Sequence, residues 1–478
     1  MLSLLSAALI AQTPPAPKPE IKPVIKPEVV VQPQEVRPLP GQLDSVLVFN
    51  SNSPEVVQTE GILLSTFPPA GKAHPQAHLD QAFQGQFDIF AHHISNQAKS
   101  SAPLRTLYMA IVLNNPSATP VTVNVLQAAS YLSQPDAPFI SLPPVTENNL
   151  GQVYAGPGDR VTNDILRGQR QSTWPASVVI PPQSNVLLLN VPIPVKTLTP
   201  PINGRSTLAH LRSSGPVYIA SLAMYAKTDE GGQERAPSLE EWSNLLQTGT
   251  LSGPRDKTPT PPDAPGPLVY GRVAGVARGS RWQAQLSDRT TPGRLAIPKV
   301  GTAFSYPIST VARGAFGTGQ VQSATMIKRY PDTAYAAHGN YGIQYSLTLP
   351  LYNPTEQVQS VAVLLQTPVK ADDKPTALKF NNPPPSRVFF RGTVRVRYSD
   401  DQGNPQTRYV HLVQAPGQQG EPLVSLALRP RTSRLVQVDL VYPPDATPPQ
   451  VLTVRTQAVP PILQPPTVPP GPSQAPQQ

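Results

Sequence analysis

The sequence predicts an all-β chain built as two related β-sandwich domains, with one short helix near the domain boundary and Pro-rich termini. Three observations predict it. A strand-turn-strand unit occurs twice, at 107–126 (LYMAIVLNNPSATPVTVNVL) and at 345–365 (YSLTLPLYNPTEQVQSVAVLL), each interrupted by Asn-Pro. Pro cannot donate to a ladder and Asn readily starts a turn, so the dipeptide marks a strand end and reads as a hairpin. A Pro turn feeding a strand follows each unit, at 180–189 and at 428–438, and a last apolar strand closes each half, at 217–225 and at 451–456. The composition agrees: 63 Pro among 478 residues exclude long helices over most of the chain, while 39% hydrophobic residues argue against global disorder.

Residues 1–11 (MLSLLSAALIA) are apolar and too short to span a bilayer, which needs about 20 residues. They read as the apolar region of a secretory signal peptide. Residues 12–40 carry Pro at nine positions among alternating Lys and Glu and read as an extended polyproline-type spacer. The first sandwich is expected over 41–250. Four of the chain's seven histidines, His74, His78, His92 and His93, fall near its start among Asp80 and Asp88. Imidazole and carboxylate together suit zinc or manganese, so these four are the candidate ligands of a divalent metal.

The excursion over 133–175 carries Asp159, Arg160, Asp164, Arg167 and Arg170, which pair with one another or line a cleft. The helix is expected at 239–248. Ser238 and Glu241 form a capping box, Leu239, Trp242, Leu245 and Leu246 share one face, and Gly249 suits the stop. A Pro-rich linker at 251–267 separates the second sandwich, 268–459, from the first, and a Pro-rich tail follows over 460–478.

The second domain is basic. Between 268 and 460, 21 Lys and Arg face 10 Asp and Glu, leaving 17 against 19 in the rest of the chain. Such a surface concentrates anionic partners over about 8–10 Å at physiological salt. Within it, the alternation over 390–398 turns Val394, Val396 and Tyr398 inward and Arg391, Thr393, Arg395 and Arg397 outward. That predicts a guanidinium stripe about 20 Å long, with Arg391, Arg395 and Arg397 as candidate contacts for an acidic glycan.

Several chemistries are excluded. There is no Cys, hence no disulfide, thiolate ligand or Cys nucleophile. The stretch GAFGTG at 314–319 lacks the Lys-Ser/Thr of a phosphate loop, and neither a Gly-x-Ser-x-Gly elbow nor His-Glu-x-x-His occurs. His338 sits before the second unit as His92 and His93 sit before the first, with Asp332 and Asp88 upstream, which suggests a duplicated Asp-His pairing.

The stretches YLSQPDAPFI (131–140), YAGPGDR (154–160), NGRSTL (203–208), YGRVAGVA (270–277), RYPDTAYAAHGNYG (329–342) and YPPDATPPQVLTV (442–454) resemble an uncharacterised family of predicted secreted cyanobacterial proteins. The resemblance implies a Gram-negative-type envelope and offers no established catalytic residues to carry over. The expected function is therefore that of an exported, non-enzymatic protein in the periplasm or at the cell surface, without a transmembrane anchor. Its partner would be an envelope component such as an acidic glycan, with no cofactor. The alternative is a metal-dependent or glycan-acting periplasmic hydrolase using the histidine cluster or His338.

Overall fold

The computed structural model describes residues 28–373 and 376–457. The expected signal peptide, the spacer up to residue 27 and the tail beyond 457 lie outside the described residues. The fold is all-β, with two short α-helices, α1 (Pro157–Leu166) and α2 (Leu239–Thr248).

Each Asn-Pro closes an arch rather than a hairpin. The strands on either side of it, Leu107–Asn114 and Val121–Leu132, do not pair with each other. The first pairs Asn185–Ile193 and the second pairs Ser177–Ile180. In the second half Gln344–Tyr352 pairs Ser433–Val441, whereas Gln359–Gln366 pairs Pro422–Leu428. The chain thus crosses from one sheet to the other at Asn-Pro and again at the downstream Pro turn, so that one arch stacks on the other.

A buried Asn fastens each stack. The Asn115 amide donates to the carbonyls of Thr119, Ile180 and Pro181 at 2.8, 3.1 and 3.1 Å. The Asn353 amide donates to Gln357, Leu428 and Arg429 at 2.7, 3.0 and 3.2 Å. Each side-chain oxygen accepts from the amide two residues on, Ser117 or Thr355. The outer arches match as well: Gln183 and Arg431, each three residues past the first bridged strand end, have φ of 51° and 55°.

The strands that close over the arches differ. In the first half one long strand, Ile202–Tyr225, serves both layers. Its 205–213 portion pairs Val121–Leu132 and its 218–225 portion pairs Leu107–Asn114. The register breaks between Ser213 and Val217, where Gly215 and Pro216 interrupt the ladder. In the second half Gln450–Gln457 pairs only within the five-stranded sheet, against Ala303–Ile308 and Gln359–Gln366. The expected equivalence of 217–225 and 451–456 therefore fails, because the former pairs the strand before its arch and the latter the strand after it.

The second half is a sandwich of a seven-stranded and a five-stranded sheet enclosing one large apolar core, with Tyr345, Phe390, Val438 and Leu452 at its centre. The halves also exchange strands. Ala274–Arg278 and Thr325–Arg329 extend the first half's sheet beside Leu47–Ser51. Val145–Glu147 forms an edge of the seven-stranded sheet.

The expected spacer is also built into the second half from Glu28 onward. Glu28–Pro33 pairs Ala377–Asn382, Glu35–Val36 pairs Ala303–Ile308, and Leu39 is buried in the second core. Val29–Val31 and Val36 supply the apolar, β-branched side chains that override the Pro-rich composition. The 251–267 stretch, expected to be a linker, is held by Arg255 on Asp332 and by Ser53 on Asp256.

Helix α2 forms as its capping box requires. The Ser238 hydroxyl accepts from the Glu241 amide, and the Glu241 carboxylate accepts from the Ser238 amide at 2.7 Å. Helix α1, which no sequence signal predicts, opens with Pro157 at its first turn and buries Val161, Ile165 and Leu166 against Phe90 and Leu208. Its start lies so close to Pro444 that a Cβ at Gly158 would come within 2.8 Å of that ring. The stretches YAGPGDR and YPPDATPPQVLTV, far apart in sequence, meet there.

Candidate functional site

The alternation predicted over 390–398 holds within the strand Phe390–Ser399: Val394 and Val396 are fully buried, and the arginines lie on the opposite face. That face is not a free stripe. Helix α1 and the segment before it cover its first part, where Thr393 accepts from the Asn148 amide at 2.9 Å. Arg391 reaches the Ala155 carbonyl at 3.5 Å and lies 3.8 Å from the Asp445 carboxylate. Arg395 and Arg397 both donate to one oxygen of Asp439, at 3.2 and 3.1 Å. All three candidate arginines therefore face a carboxylate. The continuous, unpaired 20 Å cationic surface expected from sequence is absent, because α1 and the neighbouring strand supply cover and counter-charge from elsewhere in the chain.

Beyond α1 the same face is open and polar. The ladder aligns Gln283, Ser346, Asp439, Arg395 and Tyr409 in one row across five strands. Two residues further along each strand it aligns Gln285, Thr348, Gln437, Arg397 and Thr407. Between the rows Leu347, Val438 and Val396 point into the core, so the pleat itself presents the polar residues together. All of these polar residues but Tyr409 and Thr407 line a groove of about 430 Å³. Neighbouring groups in a row stand about 4.8 Å apart and the rows about 7 Å apart. Amide, hydroxyl, carboxylate and guanidinium groups alternate along them, offering both donors and acceptors. Asp439 is 2% exposed and bridges the two guanidiniums, which fixes both and leaves one net positive charge.

The four candidate metal-ligating histidines do not converge. His78 bonds Ser65 at 2.8 Å, and His93 bonds Ser51 and the Pro54 carbonyl at 2.9 and 2.8 Å. His92 bonds Ser206 at 2.8 Å, and His74 precedes the short 3-10 turn Pro75–Ala77. His92 and His93 are successive residues of one strand and so point to opposite faces. Among the described residues no three His, Cys, Asp or Glu side chains are placed to hold a metal ion. Burial pushes His93 down to about 3, with His92 adding to the effect. His78 falls to about 4 through burial and Lys72, and His92 to about 4 through burial and Arg272.

The duplicated Asp-His pairing is also absent. Asp332 pairs Arg255 at 2.7 Å and His338 bonds the Gly271 carbonyl at 2.6 Å. Two other buried pairs have no signature in the sequence. Asp88 and His210 are cross-strand neighbours 2.6 Å apart, and Asp159 of α1 meets His411 of the second half at 2.7 Å, both fully buried. Each joins residues more than a hundred positions apart, and no local pattern announces either.

The profile of the family described as "Protein of unknown function (DUF3370)" matches residues 34–456. No curated protein matches the chain. Among solved structures, the crystal structure of the coconut allergen cocosin aligns at 9% identity over 90% of this chain and 85% of that one. Its TM-score is 0.08, and the alignment carries no argument.

Proposed function

The chain belongs to the DUF3370 family, whose description assigns no function, and from that premise we propose that it is an exported, non-enzymatic protein that binds an acidic glycan of the cell envelope. The binding surface is the open face of the seven-stranded sheet. One observation supports this above the others, the two aligned rows of polar side chains running from Gln283 and Gln285 to Arg395 and Arg397. Their spacing of about 5 Å is comparable to the repeat of hydroxyl groups along a sugar chain. The paired guanidiniums, held by a single carboxylate, suit an occasional acidic group on that chain. Among the described residues no helix is long and apolar enough to cross a membrane.

Retention on an immobilised acidic polysaccharide tests the binding. The protein is expected to be retained at low salt, and Arg395→Ser with Arg397→Ser to lose most of that retention, with Gln285→Ala showing a smaller loss. Unchanged retention of the double variant would remove this face from the reading. The cellular setting is tested separately, by fractionating cells and sequencing the mature N-terminus. A terminus near residue 12 in periplasm or medium supports export, and an intact Met1 in the cytosol rejects it.

A further inference from the structure

A second cavity, of about 460 Å³, lies away from the sheet groove and shares no residue with it. Its wall is partly aromatic: Tyr270 packs against the His338 ring with centroids 4.7 Å apart, and Tyr341 and Pro448 complete the apolar lining. The volume falls within the usual range for small-molecule sites, roughly 300–1,000 Å³. Two cations, Arg313 and Lys370, and one carboxylate, Asp372, line it, and Arg387 lies close enough to Lys370 to lower its proton affinity further. Burial is the larger cause of that lowering.

Lys370 and Arg387 lie over the Phe389 ring, 5.8 and 5.2 Å from its centroid, but among the described residues no carboxylate lies within ion-pair distance of Arg313, Lys370 or Arg387. The one lining carboxylate, Asp372, accepts the Gly314 amide at 2.6 Å. Arg391, Arg395, Arg397, Arg408, Arg431 and Arg434 each face a carboxylate, whereas Arg329 and Arg455, like the cavity's cations, have none within ion-pair distance among the described residues. The Tyr270 hydroxyl is enclosed beside the Arg313 backbone, a further polar group at this wall. An excess of cations around a concave, partly apolar wall favours an anion that brings an apolar or ring-shaped body with it.

We propose that this cavity is a binding site for a sugar-sized organic oxyanion, its carboxylate or phosphate held between Arg313 and Lys370 and its ring against Tyr270 and Pro448. The site stands apart from the sheet groove and holds whether or not that groove binds a glycan chain.

Isothermal titration of the full chain with glucuronate, glucose 1-phosphate and glucose tests it. At least one charged probe is expected to bind and glucose to give no signal. Lys370→Gln and Arg313→Gln should each weaken that binding about tenfold or more. An unchanged melting temperature verifies that both variants fold. Tighter binding of glucose 1-phosphate assigns the anion to a phosphate source, and tighter binding of glucuronate to a uronic acid. The proposal is overturned if neither charged probe binds, if glucose binds equally, or if both variants bind as the parent does. Loss of binding in the Arg395→Ser, Arg397→Ser protein would also overturn it, by moving the anion to the sheet groove.

Discussion

The arches at Asn115 and Asn353 are fastened by the same set of bonds, yet the strands that close over them are arranged differently. In the first half a single strand crosses both layers, whereas in the second Gln450–Gln457 closes one layer and Arg281–Gln285 the other. What repeats is the part whose geometry is set by buried polar groups that must all be satisfied. What diverges is strand order, which apolar packing tolerates in more than one form. A buried amide with three carbonyl partners allows few alternatives, whereas a Val-rich strand can pair on either side of its sheet.

The likeness of the halves is tested hardest where they interlock. His411→Ala leaves the Asp159 carboxylate fully buried with only the Ala155 amide at 2.8 Å. Leaving a buried polar group without its hydrogen-bond partner costs roughly 1–3 kcal/mol, and a carboxylate more than that. Urea unfolding of this variant is therefore expected to show a larger loss than removal of either arch asparagine, and as one transition. If the excursion over 133–175 became protease-sensitive while the rest kept its stability, the halves would be joined more loosely than the exchanged strands imply.

Next comes the arch itself. Asn115→Ala and Asn353→Ala each strand three carbonyls, and each is expected to cost about 2–4 kcal/mol, since a buried unsatisfied group costs roughly 1–3 kcal/mol and part of the set finds water. Calorimetric melting of the two variants compares them directly. Equal losses support the equivalence, and a loss confined to one variant breaks it.

These arches also mark the limit of what the sequence discloses. Asn-Pro correctly placed the strand ends, but the same stop signal serves a hairpin and an arch. The partner strand decides between them, and it lies 65 or 75 residues away. Helix α2 was legible because its capping box is local. Helix α1 was not, because it opens on Gly-Pro-Gly and is held by strands far along the chain. In the candidate site the alternation of Arg395 and Arg397 was readable, whereas their shared partner Asp439, 42–44 residues on, was not. The rows depend on register across five strands, which no single stretch encodes.

The halves should also differ towards acid. His78, His92 and His93 of the first half take protons near pH 6.5 when unfolded but only at about 4, 4 and 3 when folded, because burial disfavours the charged ring. The unfolded state binds more protons in that interval. Their contribution is therefore fully present above pH 6.5 and is lost as pH falls towards 4 and 3. About 1–2 kcal/mol per histidine should be gone by pH 5. His93→Gln is expected to flatten the fall in melting temperature between pH 7 and 5, and an unchanged slope would mean that the ring is not buried as a neutral group.

The smallest expected effect has the opposite sign and belongs to the second half. Burial pushes the Asp445 carboxyl up to about 6, against the pull of Arg391, and Asp159 and Glu55 add to the rise. A carboxyl that folding holds in its protonated form stabilises below its unfolded pKa of 3.8, and that contribution disappears as pH rises through 6. At neutral pH Asp445 therefore opposes folding. Its side chain keeps 22% of its exposure, so solvent screening reduces the cost to about 1 kcal/mol. Asp445→Asn keeps the shape without the charge. It should raise the melting temperature at pH 7.5 by a few degrees and leave it unchanged at pH 4. A fall at pH 7.5 would mean that the Arg391 contact outweighs the desolvation of Asp445.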